Sequence, residues 1–91
     1  MTGRHLCEAV RDAAKVSTLL STQGAQSFIN YQDAQGDTPL HLAAQEGHVA
    51  VTKQLIAARC NVDLQEKNGG TPLHAAAYQG HETITEQLIQ A

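Results

Sequence analysis

Three aromatic residues in a chain of 91, and no tryptophan among them, leave little bulk for a core. Aliphatic residues and alanine must fill it. That core is thin, because a chain of this length hides only roughly 60–65% of the surface its unfolded form would expose. One small domain is all the length allows. Long apolar runs are missing too: none approaches the ~20 residues that would cross a bilayer. Basic charge is scarce, with 6 Lys and Arg against 9 Asp and Glu and a net charge of −3. Such a balance offers no footprint for nucleic acid or for an anionic membrane surface. Cysteine is limited to Cys7 and Cys60, far apart and without a C-x-x-C pair. No apolar h-region follows Met1, so free thiols in a reducing compartment, cytoplasmic or nuclear, are expected.

The motifs of catalysis are also absent. There is no G-x-S-x-G elbow, no glycine-rich phosphate loop and no H-E-x-x-H. Gly69-Gly70 opens a turn that no phosphate-cradling pattern follows. Glu82 and Glu86, four apart, read as a solvated acidic edge. Neither an enzyme nor a cofactor is expected.

What is present is repetition. Thr38-Pro39-Leu40-His41 recurs as Thr71-Pro72-Leu73-His74, a period of 71 − 38 = 33 that uses both prolines of the chain. The register holds on either side. Gly36 returns as Gly69, Ala43-Ala44 as Ala76-Ala77, Gly47-His48 as Gly80-His81, and Gln54-Leu55-Ile56 as Gln87-Leu88-Ile89. A 33-residue period containing T-P-L-H resembles the ankyrin-repeat family. The resemblance covers residues 30–91 closely and 5–29 loosely. It implies an all-α solenoid of about three stacked helix-turn-helix units joined by β-turn loops.

Elementary chemistry gives the motif its parts. Thr38 is a natural N-cap, since its hydroxyl can accept from a first-turn amide. Pro39 suits the first helical position, where its missing N–H costs nothing. Leu40, Leu42, Ala43 and Ala44 make an apolar face, and Gly47 ends the helix by tolerating a left-handed conformation. A second helix from about Val49 to Ala58 carries Val51, Leu55 and Ile56 at core spacing. Gln35-Gly36 and Asn68-Gly69 mark turns. The second copy runs from Thr71 to about Gln79 and from Glu82 to Ala91, with Ile84, Leu88 and Ile89 on its core face.

Before Thr38, Cys7, Ala9, Val10 and Ala13 can make one helix face, and Val16, Leu19 and Leu20 another. Asn30 to Thr38 matches Asp63 to Thr71, but Leu20 to Thr38 is 18 residues where Ile56 to Thr71 is 15, so three extra residues are expected between Thr22 and Phe28. Arg4, Glu8, Arg11, Asp12 and Lys15 give this first unit the polar outer face that an end repeat needs. The expected division is one domain over 1–91: a degenerate N-terminal repeat (about 5–37), a full repeat (38–70) and a last repeat (71–91) that stops before a further loop or cap. Ile84 and Leu88 are then expected to lack cover: either those positions tolerate water, or the chain is a fragment of a longer array, or its uncapped end associates with something, a second copy included.

His41 and His48, repeated as His74 and His81, would suit a metal only with convergent partners. The resemblance implies instead that the T-P-L-H threonine and histidine bond each other and the next repeat, and that Gly-His shapes the inter-helix turn. Arg59 stands where the family usually has glycine, and Cys60 where it usually has alanine. Arg59 beside Cys60 hints at a lowered thiol pKa; burial as a small core residue is the other reading.

The resemblance implies a protein-binding module or scaffold, with partners meeting the concave side formed by loops and first helices. Consensus positions (Thr38, Pro39, Leu40, His41, Ala43, Ala44, Gly47 and their copies) hold the scaffold. The expected contact set is Ala34, Gln35, Asp37, Gln45 and Glu46 in the central repeat, and Lys67, Asn68, Gly70, Tyr78 and Gln79 in the third. Tyr31 and Gln32 on the first loop are secondary. Tyr78, the one aromatic in the main set, is the expected hot spot. The patch is polar and mildly acidic and suits a basic or mixed-polarity protein surface.

Overall fold

Asp12 divides the N-terminal segment. Its carboxylate accepts from Ala14 N (3.0 Å) and Lys15 N (3.2 Å), capping a new helix where the earlier one has just ended. The computed structural model describes residues 3–21, 24 and 28–91. Among them are six helices and no strand: α1 (Gly3–Ala9), α2 (Ala13–Leu20), α3 (Pro39–Glu46), α4 (Val49–Ala57), α5 (Pro72–Gln79) and α6 (Glu82–Gln90). The helices form two rows. In one, α3 lies between α1 and α5; in the other, α4 lies between α2 and α6; each odd helix also packs on the even one that follows it. This is the all-α solenoid that the resemblance to the ankyrin-repeat family implies. The three extra residues expected between Thr22 and Phe28 fall largely outside the described residues.

Alanine sets the spacing of the odd row. Ala43, Ala44 and Ala76 are fully buried, and such small side chains suit the close packing of α3 on α5. Leu40, Val51, Leu55 and Ile84 fill the layer between the rows. Phe28 and Ile29, which no helical spacing points to, close the core from the first loop.

Three expectations need correction. In α1 the fully buried side chain is Leu6, while Cys7 is half-buried. Val10 is buried from the turn, because Asp12 restarts the helix after it. At the other end Ile84 and Leu88 are covered after all, by their own helix pair and by α4. Ile89 leaves the core face: it is 66% exposed.

Candidate functional site

The T-P-L-H segment closes a reciprocal box at each helix start. Thr38 Oγ1 accepts from His41 N (3.2 Å), and Thr38 N donates back to His41 Nδ1 (3.1 Å). Histidine here takes the place that Glu or Gln holds in the usual capping box. Because Nδ1 accepts, the ring proton sits on Nε2, which donates to Gly70 O at 2.9 Å. One imidazole therefore caps its own helix and binds the next loop. Thr71 and His74 repeat the box at 3.4 Å and 3.1 Å. His81 Nε2 donates to Gln45 O (3.1 Å), whereas His48 Nε2 is buried without a hydrogen-bond partner. Among the described residues, no group of three His, Cys, Asp or Glu is placed to hold a metal ion.

The loops are built alike. Gly36 N donates to Asp33 O and Asp33 N to Asp37 O; one period on, Gly69 N donates to Glu66 O and Glu66 N to Gly70 O, all at 2.8–2.9 Å. Each turn has a carboxylate at its base. Asp33 Oδ1 accepts from Gln35 N and Asp37 N, and Glu66 Oε1 from Asn68 N and Gly70 N. Gly36 and Gly69 supply the left-handed corner at φ +82 and +84. Adjacent loops are joined by Lys67 N donating to Gln35 O (3.0 Å), and by Gln32 Nε2 donating to both Gly36 O (3.0 Å) and Gln65 O (2.9 Å).

A family model for ankyrin repeats, in three copies, matches residues 6–91. The chain belongs to the ankyrin-repeat family. It is similar to Inversin of Gallus gallus, at 42% identity over 48 residues, which is 52% of this chain and only 4% of the length of that protein. Ankyrin repeats are in general protein–protein interaction modules.

In this ankyrin array an open groove of about 660 Å³ runs along α3, α5 and the two turns. Six of the expected contact residues line it: Asp37, Gln45, Asn68, Gly70, Tyr78 and Gln79. Tyr78 is 88% exposed, so its ring stands free on the α5 wall. Asp37 accepts no hydrogen bond from another described residue through its carboxylate. Partial burial first, and the Asp33 carboxylate second, raise its pKa above the ordinary value, against the opposing pull of His41.

Ala34, Gln35 and Lys67 lie outside the groove, at the exposed turn tips. Glu46 is drawn away from it: its carboxylate meets Arg11 Nε at 3.0 Å, tying the α1–α2 turn to the end of α3. Gly70 lines the wall, yet its N–H and C=O are both committed, to Glu66 and His41. Gln32 is scaffold, because its amide is spent joining the loops. Tyr31 remains exposed on the first loop. Glu66, His74, Thr71 and Ala75 also line the groove. His74 and Thr71 hold scaffold positions, Ala75 stands one period after Leu42, and the sequence sign of Glu66 was its place one period after Asp33, at the base of the second turn.

Arg59 and Cys60 end α4 as a left-handed cap. Arg59 has φ +63, with its N–H on Ile56 O (2.9 Å) and Cys60 N–H on Leu55 O (3.3 Å). The hint of an activated thiol fails. Burial raises the Cys60 thiol to about 11, lowered only in part by its backbone hydrogen bond. Burial, with Asp33, Asp37 and Glu8 adding to it, pushes Cys7 up to about 12.

Proposed function

We propose that this chain is a non-catalytic protein-binding module whose partner lies in the groove along α3 and α5. The observation that carries this reading is Tyr78, an aromatic 88% exposed on the wall of a groove whose other lining residues are polar apart from Gly70 and Ala75. A tyrosine held by a helix offers large contact area at small entropic cost, and interface energy concentrates in such residues. Gln45, Asn68 and Gln79 add side-chain donors and acceptors beside it. No Lys or Arg lines the groove, while Asp37 and Glu66 do. The partner that fits is a protein segment of basic or mixed polarity. Ala34, Gln35 and Lys67 at the turn tips extend the contact to the rim, and Glu46 contributes only by giving up Arg11.

The test is capture of partners on the immobilised chain, identified by mass spectrometry and compared across wild type, Tyr78→Ala and Gln45→Ala. Circular dichroism confirms that each variant is folded. Tyr78→Ala is expected to weaken capture at least ~10-fold and Gln45→Ala to weaken it less. Unchanged recovery with both variants would place the binding surface elsewhere.

A further inference from the structure

Asn68-Gly69 is the one Asn-Gly pair in the chain. Glycine puts no side chain in the path of its own nitrogen, so an asparagine before it can close a ring on that nitrogen with little hindrance. The other two asparagines are held. Asn30 precedes the bulky Tyr31, and its Oδ1 accepts from Asn61 N at 2.8 Å. Asn61 precedes Val62, whose branched Cβ crowds the approach, and its Oδ1 accepts from Asp63 N at 3.0 Å. Asn68 is exposed, and its carboxamide bonds no other described residue.

The first turn is the internal comparison. It has the same hydrogen bonds and the same left-handed glycine, φ +82 against +84. Gln35 stands there in the place of Asn68, and its longer side chain closes a larger ring far more slowly. Space differs as well. A Cβ on Gly36 would strike Lys67 N at 2.9 Å, whereas at Gly69 nothing lies within 4 Å. Of the two turns, the second has both the reactive side chain and room beside it.

We infer that Asn68 is the deamidation site of this chain, and that the 66–70 turn sets its rate. The Gly69 nitrogen gives its proton to a solvent base and bonds to Asn68 Cγ. The Cγ–Nδ2 bond breaks and ammonia leaves with a proton taken from water, so a cyclic imide remains. Water then opens the ring, with no oxidant or reductant. Cleavage between the nitrogen and Cγ gives aspartate; cleavage between the nitrogen and the main-chain carbonyl carbon gives isoaspartate. The folded turn holds the first step back, because Gly69 N–H donates to Glu66 O at 2.9 Å. That bond must open before the ring can close, and exposed turns open locally at small cost. Either product puts a new carboxylate on a groove wall that already carries Asp37 and Glu66. Isoaspartate also adds an atom to the main chain inside a turn closed by Glu66 N donating to Gly70 O (2.8 Å) and Gly70 N donating to Glu66 Oε1 (2.6 Å). Gly70 O is also the acceptor for His41 Nε2, so the longer chain loosens the tie between this loop and α3. The chemistry does not rest on partner binding in the groove; only its effect on a partner does.

The experiment ages the 91-residue chain in mildly alkaline buffer, folded and in urea, and digests it. Mass spectrometry follows the exchange of NH2 for OH at Asn30, Asn61 and Asn68, and isoaspartyl methyltransferase scores isoaspartate. In the folded chain Asn68 is expected to convert first, at least ~10-fold more slowly than in urea. Asn68→Gln should abolish the change and leave the fold intact, since Gln35 fills the same place in the first turn. The isoaspartyl form, separated from the aged sample, should unfold at a lower urea midpoint than Asn68→Asp. Conversion at Asn30 or Asn61 as fast as at Asn68, or none at Asn68 in the folded chain over many urea half-lives, overturns the site. Equal rates folded and in urea overturn the control by the turn, and an isoaspartyl form as stable as Asn68→Asp overturns the loosening.

Discussion

The imidazole of His81 stands against the α-carbon of Gly47, where a methyl group would lie 2.9 Å from Cε1 and 3.1 Å from Nε2. The ring cannot retreat without giving up its 3.1 Å bond to Gln45 O. Gly80 has the same left-handed backbone, φ +77 against +81, with open space beside it. Replacing either glycine by alanine incurs the left-handed cost of about 1–2 kcal/mol. Gly47→Ala adds an overpacking cost of about 1–3 kcal/mol. In urea unfolding Gly47→Ala is therefore the more damaging of the two, and equal losses would show that the His81 ring yields freely.

Arg59 gives a prediction of the opposite sign. It is the one non-glycine residue with positive φ among the described residues. Arg59→Gly keeps both cap hydrogen bonds and relieves the Cβ strain, a gain of up to about 1 kcal/mol that glycine's greater freedom in the unfolded chain reduces. A rise in the urea midpoint is expected, and a fall would mean that the arginine side chain contributes more than its strained backbone costs.

Asp37 predicts a dependence on pH. A carboxyl whose pKa is raised on folding binds its proton more tightly in the native state, so its stabilising contribution is complete below the unfolded pKa and lost as pH rises through the folded one. Asp37→Asn should therefore raise the midpoint at neutral pH. The difference should close as pH falls below the ordinary carboxyl value of 3.8. Unfolding curves of both proteins from pH 3 to pH 7 check this, and a benefit that grows in acid would refute it.

The two thiols should be quiet in the folded protein. With pKa values of about 12 for Cys7 and about 11 for Cys60, against 9.0 ordinarily, little thiolate exists at pH 8. An aromatic disulfide reagent is expected to react at least ~10-fold more slowly with native than with urea-unfolded protein. A fast native phase lost in Cys60→Ser would show that Arg59 activates the thiol after all.

Much of this was legible in the residues. Thr38, Pro39, Gly47 and Gly36 act through local backbone chemistry, so their roles could be read within a few positions. Tyr78 and Asp37 were singled out by carrying the family's concave-face positions onto this register. What escaped was decided by contacts distant in sequence. Glu46 looked like a groove residue until Arg11, 35 positions away, claimed it. Gln32 looked available until its amide was found spanning to Gln65. Ile89 follows the same Gln-Leu pair as Ile56, yet no further helix pair lies beside it among the described residues. Spacing can show which residues share a face, but not how many units cover that face.

The Gln32 amide has a consequence for any partner. Because one nitrogen holds Gly36 O and Gln65 O together, the tips of the two turns cannot drift apart independently. With Lys67 N–H bonded to Gln35 O as well, Ala34-Gln35 and Lys67-Asn68 behave as marks on a ruler of fixed pitch. A ligand reaching across both tips must carry contacts at that pitch, and one with a different spacing would reach only one tip at a time.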